Sequence, residues 1–370
     1  MARAGSGSVS GVSHTVDTPD PSASRVRARA DGSVGHLTLD RPEAINALDL
    51  GMIHGVAAAL DQWERHPDIA VVLLDGAGDR GFCAGGDVRG LYDQIVAGNA
   101  EATTTFFRAE YALNARIAEY PKPIVAIADG LTMGGGVGLA GHAAVRLVTE
   151  RSQLAMPETR IGFTPDVGGS WLLARAPGRV GEYLGLTGGS MDAADAIYAG
   201  FADHFVPSDR IGDLHDALVT RADPHTPTEL VLLFDETAPP SRLEAARPWI
   251  DDAFAADTVT GILDRLRRRT EPEAAKAADT IEQLSPTGVS VTLDAVRSAR
   301  RLGGLREALG QEYGLVIWFA TTQPDLVEGI RAQLVDKDRS PRWRPASLAD
   351  LPADVSAQAL AFQPHPALWS

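Results

Sequence analysis

The chain has 370 residues, 44% of them hydrophobic and 22% charged, enough for a large core with a smaller region attached. Its 34 basic and 49 acidic residues give a net charge of −15. That excludes the concentrated basic surface of general nucleic-acid binding, though not a local pocket for an anionic ligand. Cys83 is the single cysteine, so no intrachain disulfide can form and a cytoplasmic setting is expected. Asp129 interrupts the longest apolar run, and no membrane span is predicted.

Residues 1–25 are rich in Gly, Ser and Pro and lack a hydrophobic stretch, the composition of a disordered leader rather than an export signal. RVRARADGSVGHLTLDRPE then predicts two short strands around a turn, followed by a helix over 49–65 that Asn46 or Asp49 could cap. DIAVVLLDGAG reads as a buried strand, stopped by FCAGGD before the helical DVRGLYDQIVAG. The amphipathic AEATTTFFRAEYALNARIAEYP leads to PIVAIADG, a second buried strand, and to a glycine-rich helix start, GGVGLAGHAAV. RLVTE, SQLAMPE and ADHFVP fit further strands, with helices in VGGSWLLARAPG, GRVGEYLGLTG and MDAADAIYAG. Alternating strands and helices predict an α/β core over 26–211. Helical segments without comparable strands predict a helical region over 212–335, and 336–370 reads as an irregular tail. Within that region the arginines of RLRRR, residues 265–269, fit either an anion contact or a solvated helix face.

Two glycine clusters, FCAGGD and MGGGVGLAG, each follow a buried strand and precede a helix. The second contains a formal G-x-G-x-x-G at Gly136, Gly138 and Gly141, but residues 129–133 separate it from its strand and a full strand–helix unit precedes it. Both features fit poorly with a dinucleotide fingerprint. Close helix packing would explain some of these glycines, not the companion cluster. Backbone donors explain both. Helix-start N–H groups lack intrahelical partners, and two brought together form a hole for a developing oxyanion.

INALDLGM, FCAGGD and ADGLTMGGGVGLAG resemble the signatures of the crotonase, or enoyl-CoA hydratase/isomerase, superfamily. The resemblance implies an α/β fold, a crotonase-like spiral of β-β-α units with a C-terminal helical region. It implies an acyl-CoA substrate whose thioester oxygen is held by the amides of Gly86 and Gly135, with no metal and no cofactor beyond the CoA of the substrate. A homo-oligomer would fit the superfamily.

MPETRIGFTPDVGGSW offers two carboxylates, Glu158 and Asp166. Their spacing does not by itself bring them together; a helix-start or surface acid and a helix cap are the plain alternatives. Enoyl-CoA hydratases carry two glutamates around their water, one after the glycine run and one in the PE pair. Here the PE glutamate is Glu158, the other position is Gly138, and Asp166 stands where ordinary hydratases carry glycine. That combination resembles the 3-hydroxyisobutyryl-CoA hydrolase branch. FFRAEY, with Glu110 expected near the hydroxyacyl group, and LSPTGVSVTL, QEYGL and EGIRAQLVDKDRSPRWRP extend the resemblance over about residues 30–345. A solvated helix face is the alternative for Glu110.

The resemblance implies hydrolysis of the 3-hydroxyisobutyryl-CoA thioester in valine catabolism. Glu158 would be the reacting carboxylate, as nucleophile or as base for water, and Asp166 would orient the substrate hydroxyl or the water. The competing readings are an enoyl-CoA hydratase or isomerase and a noncatalytic acyl-CoA-binding protein. Cys83 could attack a thioester, but no activating base is legible beside it. His36 and His142 lack metal-ligand spacing with another His/Cys pair.

Overall fold

A computed structural model describes residues 25–221 and 227–369. The expected leader lies almost wholly outside the described residues. Strands β1 (Val26–Asp31) and β2 (Val34–Leu39) form an antiparallel hairpin. β2 then pairs in parallel with β3 (Val71–Gly76), which pairs with β4 (Ile124–Ala128). β5 (Leu131–Met133) leaves this sheet to join β7 (Gln153–Ala155) and β8 (Ser190–Met191) in a smaller one. β6 (Val145–Val148) and β9 (His204–Phe205) complete the larger sheet, whose order is β1-β2-β3-β4-β6-β9.

The continuous apolar runs are explained by burial on both sheet faces. Along β3, Val72 and Leu74 enter the main core while Val71 and Leu73 face a second cluster. β4 alternates likewise, with Ile124, Ala126 and Ala128 on one side and Val125 and Ile127 on the other.

β4 with β5, and β6 with β7, each place one strand in the large sheet and the next in the small one before the chain turns helical, whereas the β1–β2 hairpin stays within the large sheet. β4, β5 and the helix over Gly135–Ala140 form the clearest such unit, the β-β-α repeat implied by the family resemblance. The helices before it are α1 (Leu50–Glu64), α2 (Val88–Val96) and α3 (Ala100–Ala118), and α4 spans Gly135–Ala140. Asp49 rather than Asn46 caps α1, accepting from Met52 N at 2.8 Å. Asn46 instead donates its amide to the carbonyls of Ala77, Gly81 and Phe82, supporting the segment that leads into the first glycine cluster.

In the unit containing β3, the second strand is reduced to two isolated bridges, Gly81 with Gly130 and Cys83 with Thr132. They bring the two glycine-bearing segments side by side. A β-carbon on Gly81 would lie 2.5 Å from Leu131 O, so this approach requires glycine.

Beyond β7 come α5 (Gly169–Arg175), α6 (Val180–Thr187) and α7 (Ala193–Tyr198). The remaining helices are α8 (Ile211–Arg221), α9 (Pro227–Val231), α10 (Arg242–Phe254), α11 (Val259–Arg267), α12 (Pro272–Glu282), α13 (Pro286–Ala299), α14 (Leu305–Thr322) and α15 (Asp325–Ile330). Ser285 caps α13 through Gly288 N at 3.0 Å. One buried cluster runs from Val26 through α13 and α14 to Leu368, joining the helical region to the spiral. The last segment, expected to be irregular, contains α16 (Val355–Ala361). Its Val355 and Ala359 are buried four residues apart on one face, a short amphipathic pattern that the prolines around it obscure in the sequence.

Gly81→Ala should lower stability by about 1–3 kcal/mol, because the added carbon meets backbone rather than a movable side chain. A denaturation midpoint equal to that of the parent would contradict the close approach of these segments.

Candidate functional site

A cavity of about 310 Å³ opens where the two glycine clusters meet. Phe106, Phe107 and Phe163 supply apolar wall, Gln333 and Leu334 from the C-terminal region form part of the rim, and Glu110, Glu158 and Asp166 face inward. Few polar groups on an apolar lining are typical of a small-molecule site.

Gly85, at φ +105°, and Gly134, at φ +47°, lie in the left-handed half of backbone space, where side chains are rarely tolerated. These turns bring the next residues together: a β-carbon on Gly135 would sit 3.2 Å from Gly86 N. Neither the Gly86 nor the Gly135 N–H has a hydrogen-bond acceptor among the described residues. Two free backbone donors therefore border one cavity.

The three expected carboxyl groups meet there. Glu110, on α3, is 2% exposed rather than on a solvated face, and its Oε1 has no partner among the described residues. Glu158 begins the tight turn Glu158–Ile161, with its Oε2 likewise unpartnered. Glu158 Oε1 lies 2.8 Å from where a side chain on Gly134 would begin, so the glycine makes room for the acid. Asp166 does not cap α5; its Oδ2 accepts from Tyr111 Oη at 2.9 Å.

Burial dominates the electrostatics. It lifts Glu110 and Glu158 well above the ordinary carboxylate range, and the charge of Asp166 pushes both the same way. Asp166 is itself pushed up to about 7 by burial, against the lowering effect of the Tyr111 hydrogen bond. No described cation pairs with any of the three. Each group holds its proton longer than in water and is a stronger base once it loses it.

Three residues of this network were not assigned roles from the sequence. Tyr111 stood inside FFRAEY and Glu312 inside QEYGL, but their partners are 55 and 144 residues away along the chain. Asn114 is fully buried one turn after Glu110, and a β-carbon on Gly138 would lie 2.9 Å from its Nδ2 and 2.7 Å from Val167 Cβ. Residues that pack into a missing side chain's space leave no local pattern.

Other candidates separate from the cavity's chemistry. Gly136 packs against Cys83 O and Gly141 against Leu172, so the formal dinucleotide pattern faces protein. The Cys83 thiol is buried and pushed up to about 12, chiefly by burial, which removes the thiolate needed for attack. Among the RLRRR arginines, Arg267 pairs with Asp279 and Glu282, and Arg269 with Asp252 and Glu271, so these two face acids on the surface. Asp31, His36 and His215 could bring three ligand atoms together, a grouping the linear spacing concealed. Both His36 nitrogens are nevertheless committed, Nε2 to Asp75 at 2.7 Å and Nδ1 to Arg29 at 2.8 Å.

The sequence pattern of the enoyl-CoA hydratase/isomerase family matches residues 34–360. The chain belongs to this family. It is 40% identical to the zebrafish (Danio rerio) protein "3-hydroxyisobutyryl-CoA hydrolase, mitochondrial" over 326 residues, 86% of this chain and 84% of the relative. Among solved structures, a carnitinyl-CoA dehydratase from Mycobacterium thermoresistibile superposes with a TM-score of 0.88 at 45% identity, covering 93% of this chain and 98% of the other. An enoyl-CoA hydratase from Rhodobacter sphaeroides gives 0.85 at 44% identity, covering 91% and 97%. The expected cytoplasmic setting is overturned, because the zebrafish relative and its rat counterpart are mitochondrial. A single cysteine rules out an intrachain disulfide but does not distinguish one compartment from another.

The raised carboxyls fix the sign of a pH effect. Asp166 has an ordinary value of 3.8 and binds its proton more tightly when folded. Its contribution is complete below that value and is lost as pH rises through about 7. Thermal stability should therefore fall as pH rises from about 4 to about 7. Asp166→Asn should flatten that slope in a melting series; an unchanged slope would contradict the assignment.

Proposed function

We propose that this protein hydrolyses the thioester of 3-hydroxyisobutyryl-CoA to 3-hydroxyisobutyrate and CoA, a step of valine catabolism. The observation that carries the reading is the pair of unpartnered amides, Gly86 and Gly135, beside buried Glu158 and Asp166, with no second glutamate at Gly138. The relatives named for this activity, at 36–40% identity, support the substrate.

The thioester oxygen accepts from the Gly86 and Gly135 amides, which stabilise it as charge develops; one such donor is worth about 3 kcal/mol in hydrolases. Glu158, ionised, either attacks the carbonyl carbon or takes a proton from the water that does. Direct attack forms a mixed anhydride as the C–S bond breaks and the CoA thiolate leaves to gain a proton. Water then cleaves the anhydride, releasing the acid and restoring Glu158. In the base route, water adds to the carbon and the proton held by Glu158 passes to the departing thiolate. Asp166 orients the substrate hydroxyl or the water, and Glu110 accepts from the hydroxyacyl group.

The names of the two solved relatives favour a second reading, addition or removal of water across a double bond. Against it, the space of the missing hydratase acid is filled by Asn114 and Val167. A paired-carboxylate hydratase lacks half its apparatus here.

A panel scored for free CoA and for hydration separates these readings. Rapid thiol release from 3-hydroxyisobutyryl-CoA is expected. Hydration without thiol release would select the second reading, and acyl-CoA binding without either reaction would indicate a noncatalytic protein. Glu158→Gln should lose thiol release by about 100-fold or more while retaining CoA affinity, since it removes the reacting charge but keeps the shape. Near-normal turnover would remove Glu158 from the chemistry. Gly138→Glu should be destabilised by about 1–3 kcal/mol through overpacking and should gain no efficient crotonyl-CoA hydration. Strong hydration by that variant would reverse the argument from the filled space.

A further inference from the structure

Glu312, on α14, is completely buried but is not among the side chains lining the cavity. Its carboxylate reaches the loop that carries Asp166. Oε2 accepts from Gly168 N at 2.6 Å, and Oε1 accepts from Ser170 N at 2.8 Å and from Ser170 Oγ. One side chain thus ties the backbone on both sides of Gly169. The bonded partners are 142 and 144 residues away in the chain.

The tied loop is strained. Val167 has φ +53°, a left-handed conformation in which a β-branched residue is an outlier. Such a residue keeps that conformation only where its surroundings over-determine it. Two ties do so here. His142 Nε2 donates to Val167 O at 2.8 Å, and Glu312 holds the next residue, Gly168. On the other side of Val167 stands Asp166, with its bond from Tyr111. The strained turn therefore directs two groups at once: the Asp166 carboxyl toward the cavity and the Val167 side chain into the space beside Gly138.

We infer that Glu312 is a positioning residue for thioester cleavage: by clamping the Val167–Gly168 turn from the C-terminal helices, it sets where Asp166 meets the acyl group. The inference rests on the hydrolase reading and on Asp166 acting in it. It assigns the C-terminal region a part in the chemistry beyond covering the pocket.

The test is a double-mutant cycle on the full chain with 3-hydroxyisobutyryl-CoA. Glu312→Gln keeps the size of the side chain but turns an amide N–H₂ toward at least one backbone N–H. It should lower kcat by about 10- to 100-fold with KM changed by less than about 3-fold, because displacement of a positioned group acts on the chemical step. In an Asp166→Asn background the same change should have almost no further effect, because the residue it positions is already disabled. Glu312→Asp, which keeps two carboxyl oxygens as acceptors, should recover part of the loss. Unchanged kcat in Glu312→Gln, or losses that multiply independently in the double variant, would overturn the inference. If Glu312→Gln does not fold, Ser170→Ala removes one tie alone, and its smaller kcat loss must likewise vanish in the Asp166→Asn background. Parent enzyme without thiol release defeats the hydrolase reading itself; normal parent turnover with independent losses defeats only the role of Glu312.

Discussion

The structure depends on how closely two stretches of backbone can approach. Gly81 against Gly130 and Cys83 against Thr132 bring the glycine clusters into register, and the turns at Gly85 and Gly134 then aim the next amides at one space. Asn46 braces the first segment from below with three carbonyl contacts. Donors built from main chain are fixed before a ligand arrives, so little reorganisation is needed as charge develops on an oxygen between them. The same demand for proximity explains why the glycines outnumber those that conformation alone requires: several stand where a neighbouring chain would otherwise collide with a side chain.

Around this frame the protein buries acids without cations. Glu110, Glu158, Asp166 and Glu312 are all buried, and burial raises each of them, with Asp166 adding to the rise of the other three. An arrangement of this kind is costly for stability at high pH, yet it suits a carboxylate that must act as a base or nucleophile near neutrality. Hydrogen bonds divide the four. Glu312 is saturated by backbone and Ser170, and Asp166 is held by Tyr111. Glu110 and Glu158 each keep an oxygen without a partner among the described residues, beside the Gly86 and Gly135 amides. Glu312, saturated and outside the cavity, holds structure, whereas Glu110, Glu158 and Asp166 face the place where a substrate would lie.

The C-terminal helices are part of this frame. α13 and α14 share a buried cluster with the spiral, and Gln333 and Leu334 reach the rim of the cavity. Shifting α14 would move Glu312 and, with it, the loop that follows Glu158. Interiors packed this closely transmit such displacements rather than absorbing them.

Much of this was legible in the linear chain because its signals are local. Apolar runs marked β3 and β4, Asn46 and Asp49 together bracketed the start of α1, and the glycine clusters with Glu158 and Asp166 marked the site, the resemblance supplying the roles. Other features have no local signature. Cysteine count cannot distinguish one compartment from another, a short helix near the C-terminus is hidden by prolines, and Asp166 reads equally well as a cap. Whether Glu110 meets water or a cavity depends on what packs over α3, which no periodicity within α3 reveals. The sequence by itself determined which backbone segments lack side chains and which acids follow them, since both are properties of single positions. Only the tertiary structure decided that Tyr111 holds Asp166, that Asn114 and Val167 fill the space beside Gly138, and that Glu312 ties the loop from 142 and 144 residues away, because those contacts are made by the packing of distant elements.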